Sequence, residues 1–266
     1  MKKSLIIFFI FFTVISVIYV MFFTPTEEFA ESDLYNDIVQ RGVIKVGINT
    51  DSKPFGFYNS DGKIAGYDAD LARYIAQYIV KNPDRVELIP VTPSNRLIKA
   101  STGEVDIVIS TVTITPQRKE VVSFSVPYDA AGQAILVPVN SSIKTMSDLA
   151  GQAVGVIFGT TAEKNMKKLV PTANLRGFRS YQEAYNALKS GEVNAITSDD
   201  TILSRYVMDD KNVKLLPKRY SHEPYGIAFK KGESTVKLKE NLDYAIKDLK
   251  QKNVIARLRK KWGIGV

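Results

Sequence analysis

A chain of 266 residues with 45% hydrophobic content carries enough apolar surface for one large core or two modest ones, and without cysteine it has no disulfides, thiolate nucleophiles, cysteine-linked lipid or cysteine-rich zinc sites. The single histidine, His222, rules out a multi-histidine metal centre, and no cofactor is expected. A formal charge of +8 arises from 36 Lys+Arg scattered among 28 Asp+Glu without an arginine-rich run, which points to a basic solvated surface and away from nucleic acid.

Lys2 and Lys3 precede an apolar stretch from Leu5 to Phe23 that only Thr13 and Ser16 interrupt. At about 1.5 Å per helical residue it matches the ~30 Å hydrocarbon layer of a bilayer, with the lysines held inside. Glu28 sits where a small residue would be wanted if Ala30 were the last residue removed, so residues 1–30 read either as a cleaved signal peptide or as an uncleaved anchor. Both place the rest of the chain outside the cytoplasm, in the periplasm or on the outer face of the membrane.

A polar spacer is expected around Pro25 to Asp37. Short apolar runs then predict strands at Val43–Ile48, Val86–Val91, Val105–Val112, Ala134–Val139, Ala153–Phe158, Val193–Thr197, Val213–Leu216 and Tyr225–Phe229. Helical spacing appears at Asp70–Val80, where Leu71, Ile75 and Ile79 share a face, at Tyr181–Lys189, and in the tail at Ser234–Gln251 and Val254–Trp262. Strands alternating with helices predict an α/β fold with mainly parallel sheets. The strand–helix–strand order occurs once before about Tyr128 and again after about Ser147, which predicts two lobes.

The segment Val105–Arg118, VDIVISTVTITPQR, is a buried-type strand running into a hydroxyl-rich turn and a guanidinium. Open α/β sheets bind ligands beyond the carboxyl ends of their strands. There Thr111, Thr113 and Thr115 offer hydroxyl and backbone donors, and Arg118 a planar fork suited to a carboxylate. Spacing alone leaves open the other reading, a plain strand followed by a solvated helix start.

The full stretch VDIVISTVTITPQRKEVVSFSVPY, with GKIAGYDADLARYIA before it and GVIFGTTAE, SGEVNAITSD, EPYGIAFKKG and KKWG after it, resembles the bacterial solute-binding proteins of polar amino-acid ABC importers, family 3. The similarity runs in order from about Arg41 to Gly263. It implies a type II periplasmic-binding-protein fold, two α/β lobes joined by a two-stranded hinge, with lobe 1 at 41–127 plus 228–266 and lobe 2 at 132–223. It further implies a monomer that captures a free amino acid, closes on it like a flytrap, delivers it to an ABC permease and catalyses nothing. By the same resemblance Arg118 grips the α-carboxylate with help from Thr113, Thr111 turns its backbone to the ammonium group, Thr161 gives a backbone donor from lobe 2, and Asp199 pairs with the ammonium. A zwitterion leaving water needs both charges paired, which agrees with this division. Asp200 is the neighbouring rival, better used in capping a helix from Thr201.

For the ligand's side chain, VELIPVTPSNRLIKASTGEVD resembles the glutamate/aspartate branch, in which Arg96 would pair with a second carboxylate. Against this, Asn49 stands where that branch can place another arginine and where branches for cationic or neutral ligands often place an aspartate, and its neutrality argues against lysine or arginine as ligand. Ser52 and Pro93 replace rings that sandwich the ligand in many relatives; Tyr181, Phe158 and Tyr225 are the aromatic substitutes, each equally readable as core. Asp68 and Asp70 read as acidic residues at a helix start, His222 as a hinge-surface residue, and Lys53 and Lys63 as solvent-facing. Three alternatives stay open: a glutamine or neutral polar ligand, a sensor reporting to a membrane partner, and a dehydratase on the same fold. The chain ends at Val266 just after KKWG, which favours transport over sensing, since no signalling domain is then expected in it.

Overall fold

The computed structural model describes residues 33–265, so the apolar stretch 5–23 and the expected leader 1–30 lie outside the described residues. Asp33 opens the described chain by accepting the Asn36 N–H at 3.0 Å, which caps α1 (Leu34–Arg41), and Gly42 ends that helix at φ 71. The polar spacer expected up to Asp37 is therefore shorter than its composition suggested, because an Asp cap and a C-terminal glycine are enough to start and stop a two-turn helix.

β1 (Ile44–Asn49) follows, then a small antiparallel sheet of β2 (Asp51–Ser52), β3 (Gly56–Tyr58) and β4 (Ile64–Ala65), then α2 (Tyr67–Ile79), β5 (Val86–Val91), α3 (Arg96–Ser101) and β6 (Ile107–Val108). Next come α4 (Pro116–Val121), β7 (Ser123–Phe124), β8 (Asp129–Ala131), β9 (Gln133–Pro138), β10 (Ala153–Ile157), α5 (Thr161–Leu169), β11 (Asn174–Phe178), α6 (Tyr181–Ser190) and β12 (Ala195–Asp199). The remainder is α7 (Asp200–Asp209), β13 (Val213–Leu215), β14 (Glu223–Tyr225), β15 (Ala228–Phe229), α8 (Val236–Gln251) and α9 (Val254–Lys261).

These strands build two five-stranded sheets, ordered β5-β1-β6-β15-β7 and β11-β10-β12-β9-β13. The two share one plan: β1 runs parallel to β5 and β6 as β10 does to β11 and β12, and antiparallel strands complete each sheet. The chain passes between them on β8 and β14, which pair antiparallel with Tyr225 opposite Asp129. This is the two-lobed α/β fold with a two-stranded connection.

Burial follows the sequence periodicity. Leu71, Ile75 and Ile79 on α2 are at most 1% exposed, and they pack under the first sheet with Ile44, Val46 and Ile48 of β1. Where the lobes join, Phe55, Tyr67, Tyr128 and Tyr225 form an aromatic cluster: Phe55 meets Tyr67 and Tyr225 edge-on at 5.5 and 5.9 Å, and Tyr128 lies 6.2 Å from both Tyr67 and Tyr225.

Two predicted strands are shorter than expected, for stated reasons. Val105–Val112 narrows to Ile107–Val108 because the chain leaves the ladder at Thr111, whose φ of 45 is left-handed. Tyr225–Phe229 divides at Gly226, where a Cβ would press on Ile114 at 2.8 Å, so Tyr225 belongs to the strand pair between lobes and Ala228–Phe229 to the first sheet.

Candidate functional site

Thr115 caps α4 by accepting the Arg118 N–H at 3.2 Å, with Pro116 in the first helical position where its missing N–H costs nothing. That cap aims Arg118 back at its own loop and across to the second lobe. Its Nη1 donates to the Thr113 carbonyl at 2.9 Å and its Nη2 to the Gly159 carbonyl at 3.0 Å, and the side chain is buried. Burial, and then the nearby Arg96 cation, lower its proton affinity to about 10.

Arg96 begins α3 and donates through Nη1 to the Ser110 carbonyl, while its Nε is buried without a hydrogen-bond partner. Burial lowers its pKa as well, and the field of Asp199 works in the opposite direction. From the second lobe, Asp199 closes β12 and stands at the N-cap of α7; its Oδ2 accepts the Tyr225 hydroxyl at 2.5 Å. Burial raises this carboxyl to about 6, partly offset by that hydrogen bond and by the two arginines. Helix α7 begins at Asp200, one residue before the expected Thr201, so the capping position belongs to Asp199. The Asp200 carboxylate is instead taken by the Gly132 and Thr201 N–H groups and by Arg219.

Thr111 and Thr113 occupy the loop beyond β6. The Thr111 N–H donates to the Tyr128 hydroxyl at 3.1 Å, and Tyr128 in turn donates to Asp68 Oδ1 at 3.1 Å. Thr113 forms a backbone bridge with Tyr225. Thr161 is the first residue of α5, beside the Gly159 carbonyl that Arg118 reaches. Thr160 and Glu163 cap that helix reciprocally, Thr160 Oγ1 accepting the Glu163 N–H at 3.3 Å and Glu163 accepting the Gly159 N–H at 3.1 Å. Asn49 stands apart from this group: at the end of β1 it is buried and accepts the Asp51 N–H at 3.3 Å, a local turn.

Of the aromatic candidates, Tyr225 and Tyr181 are buried, with the Tyr181 hydroxyl 3.2 Å from Ser198 Oγ, whereas Phe158 is 44% exposed. Sequence reasoning missed Tyr128, Asp68, Glu223 and Gly159. Asp68 does lie in the first turn of α2, as read from the sequence, but its side chain is buried against Tyr128, and burial raises it to about 7. Asp70 is the solvent-side acid of that turn, bonded to Lys261 and Trp262. His222 is exposed, as expected, and so are Lys53 and Lys63.

The arrangement joins two cations from one lobe and one anion from the other, with backbone carbonyls orienting the two guanidiniums, a set suited to a small zwitterion. Comparison with known proteins points the same way. The sequence profile of the bacterial extracellular solute-binding proteins, family 3, matches residues 44–265. The ABC transporter glutamine-binding protein GlnH of Bacillus subtilis is 36% identical over 235 residues, covering 88% of this chain and 85% of that protein. The glutamine-binding protein of Geobacillus stearothermophilus is 38% identical over 204 residues, covering 76% and 78%. Among solved structures, an ancestral arginine-binding protein bound to glutamine superposes with a TM-score of 0.77 at 37% identity, covering 84% of this chain and 98% of that one.

Proposed function

The chain belongs to family 3 of the bacterial extracellular solute-binding proteins, and from that premise we propose that it captures a free polar amino acid outside the cytoplasmic membrane, glutamine first, and delivers it to an ABC importer. The observation that carries this reading is the opposition of Arg118 and Asp199: a carboxylate partner on one lobe and an ammonium partner on the other, both buried. Thr111, Thr113 and Thr161 supply the neutral contacts around them. A ligand held from both sides favours the closed form because only there are all of its partners assembled. Closed protein is what the permease recognises.

Glutamine takes precedence over the acidic ligand expected from the sequence, since the two relatives named above are glutamine-binding proteins. Glutamate is the second reading, favoured by the nearness of Arg96 to Arg118. Capture is favoured over turnover because the Asp199 carboxylate is committed to Tyr225 and, when ligand is bound, to the ammonium group. Asn49, held in its local turn, brings no charge to the first lobe. No helix among the described residues is long and apolar enough to cross a membrane.

A thermal-shift screen tests the proposal. The full-length chain, unfolded and refolded in mild detergent to strip carried-over ligand, is melted against the twenty amino acids, because a ligand that binds only folded protein raises Tm by mass action. The largest shift is expected with glutamine. A shift with glutamate alone keeps the amino-acid function and replaces its specificity, and no shift with any amino acid defeats the proposal.

A further inference from the structure

The strand that returns the chain to the first lobe carries a second acid into the site. Side chains two apart on a strand share a face. In β14 those are Glu223 and Tyr225, both buried, with Pro224 between them half-buried and turned the other way. Tyr225 meets Asp199, so Glu223 faces the same cleft.

There Glu223 Oε1 accepts the Ser221 hydroxyl at 2.6 Å and lies 3.5 Å from the Asn165 amide, one turn along α5 from Thr161. Those partners are neutral; the charges it acts on are Arg118 and Asp199, whose proton affinities its field raises. A carboxylate removed from water persists only where a cation or several donors stabilise it. Arg118 thus faces both Asp199 and Glu223, and Arg96 faces Asp199, so that two guanidiniums and two carboxyl groups share one buried set.

We propose that Glu223 is a specificity-determining residue that adds a second carboxylate against the two arginines and so selects amino acids with an uncharged polar side chain over those with an acidic one. A zwitterion with a neutral side chain adds no net charge to this balanced set, whereas an acidic one brings a negative charge that both carboxylates repel. Asp68, behind Tyr128 and close enough to feel Arg96, adds to the repulsion whenever it is ionised. The inference rests on the amino-acid-binding reading above and deepens it.

The test compares glutamine and glutamate affinities by calorimetry for the full-length chain and two variants. Wild type is expected to prefer glutamine by at least tenfold, and Glu223→Gln, which keeps the shape and removes the charge, to shift the ratio toward glutamate by at least tenfold. Ser221→Ala removes the hydroxyl on Glu223 and leaves its charge, so its ratio should stay within threefold of wild type. An unchanged ratio in Glu223→Gln, an equal shift in Ser221→Ala, or a wild type that prefers glutamate overturns the inference while leaving amino-acid binding intact. A wild type that binds no amino acid overturns the underlying reading and this inference with it.

Discussion

Arg118 Nη2 donates to the Gly159 carbonyl at 3.0 Å, joining residues 41 apart in sequence and on opposite lobes. The guanidinium therefore latches the lobes together, and in the proposed function it also anchors the ligand's carboxylate. Arg118→Ala removes both, and binding of the amino acid found by the screen should fall at least a hundredfold by calorimetry. Affinity retained within tenfold, about 1.4 kcal/mol, would show that the anchor lies elsewhere.

Asp199 should trade stability for binding. Its carboxyl is raised from 3.8 to about 6, so the protein gains from protonating it: that stability is fully present below 3.8 and is lost as pH rises through 6. Asp199→Asn mimics the neutral form, and at pH 7 it should make ligand-free protein more stable by up to about 3 kcal/mol, a gain that shrinks to nothing toward pH 4. The same change should weaken amino-acid binding, and wild-type affinity should drop up to tenfold per pH unit below 6 as the ammonium loses its partner. An Asp199→Asn protein less stable than wild type at pH 7 would contradict this account.

Tyr128 has a double duty: its hydroxyl accepts the Thr111 N–H and donates to Asp68. Tyr128→Phe leaves a buried N–H and a buried carboxyl each short of a partner, and should cost about 2–4 kcal/mol in urea unfolding. In the Asp68→Asn background the cost should be smaller by at least 1 kcal/mol, because residues in one network are not additive. Strict additivity would mean that the two side chains do not act together.

The fold was legible because its signals are local and repeated. Leu71, Ile75 and Ile79 announce α2, and the apolar run of β1 announces a strand buried on both faces. β11 was missed because it is an edge strand whose residues Asn174, Arg176 and Gly177 are exposed, so it lacks an apolar signature. α5 was hidden by its low apolar content, although the Thr160 and Glu163 capping pair marks its start. In the site, Arg118 was legible from its turn and from resemblance. Glu223 and Tyr128 were not, since their meaning depends on which strand returns between the lobes, and no local period encodes that.

Gly159 offers a test of closure that spares the charged groups. A Cβ there would lie 2.5 Å from the Pro93 carbonyl oxygen of the first lobe, at a φ of +80. The φ alone makes alanine unfavourable by about 1–2 kcal/mol, which lowers the Tm of a domain this size by only a few degrees. The clash with Pro93, by contrast, exists only when the lobes are together. Gly159→Ala keeps the carbonyl that Arg118 uses, yet it should weaken ligand binding at least thirtyfold, so the Tm gain on adding ligand should shrink by more than the Tm of ligand-free protein falls. Should the ligand-induced gain in Tm equal that of wild type, the approach of Gly159 to Pro93 plays no part in holding the ligand, and the closed arrangement of Arg118 and Asp199 would have to be formed by other contacts.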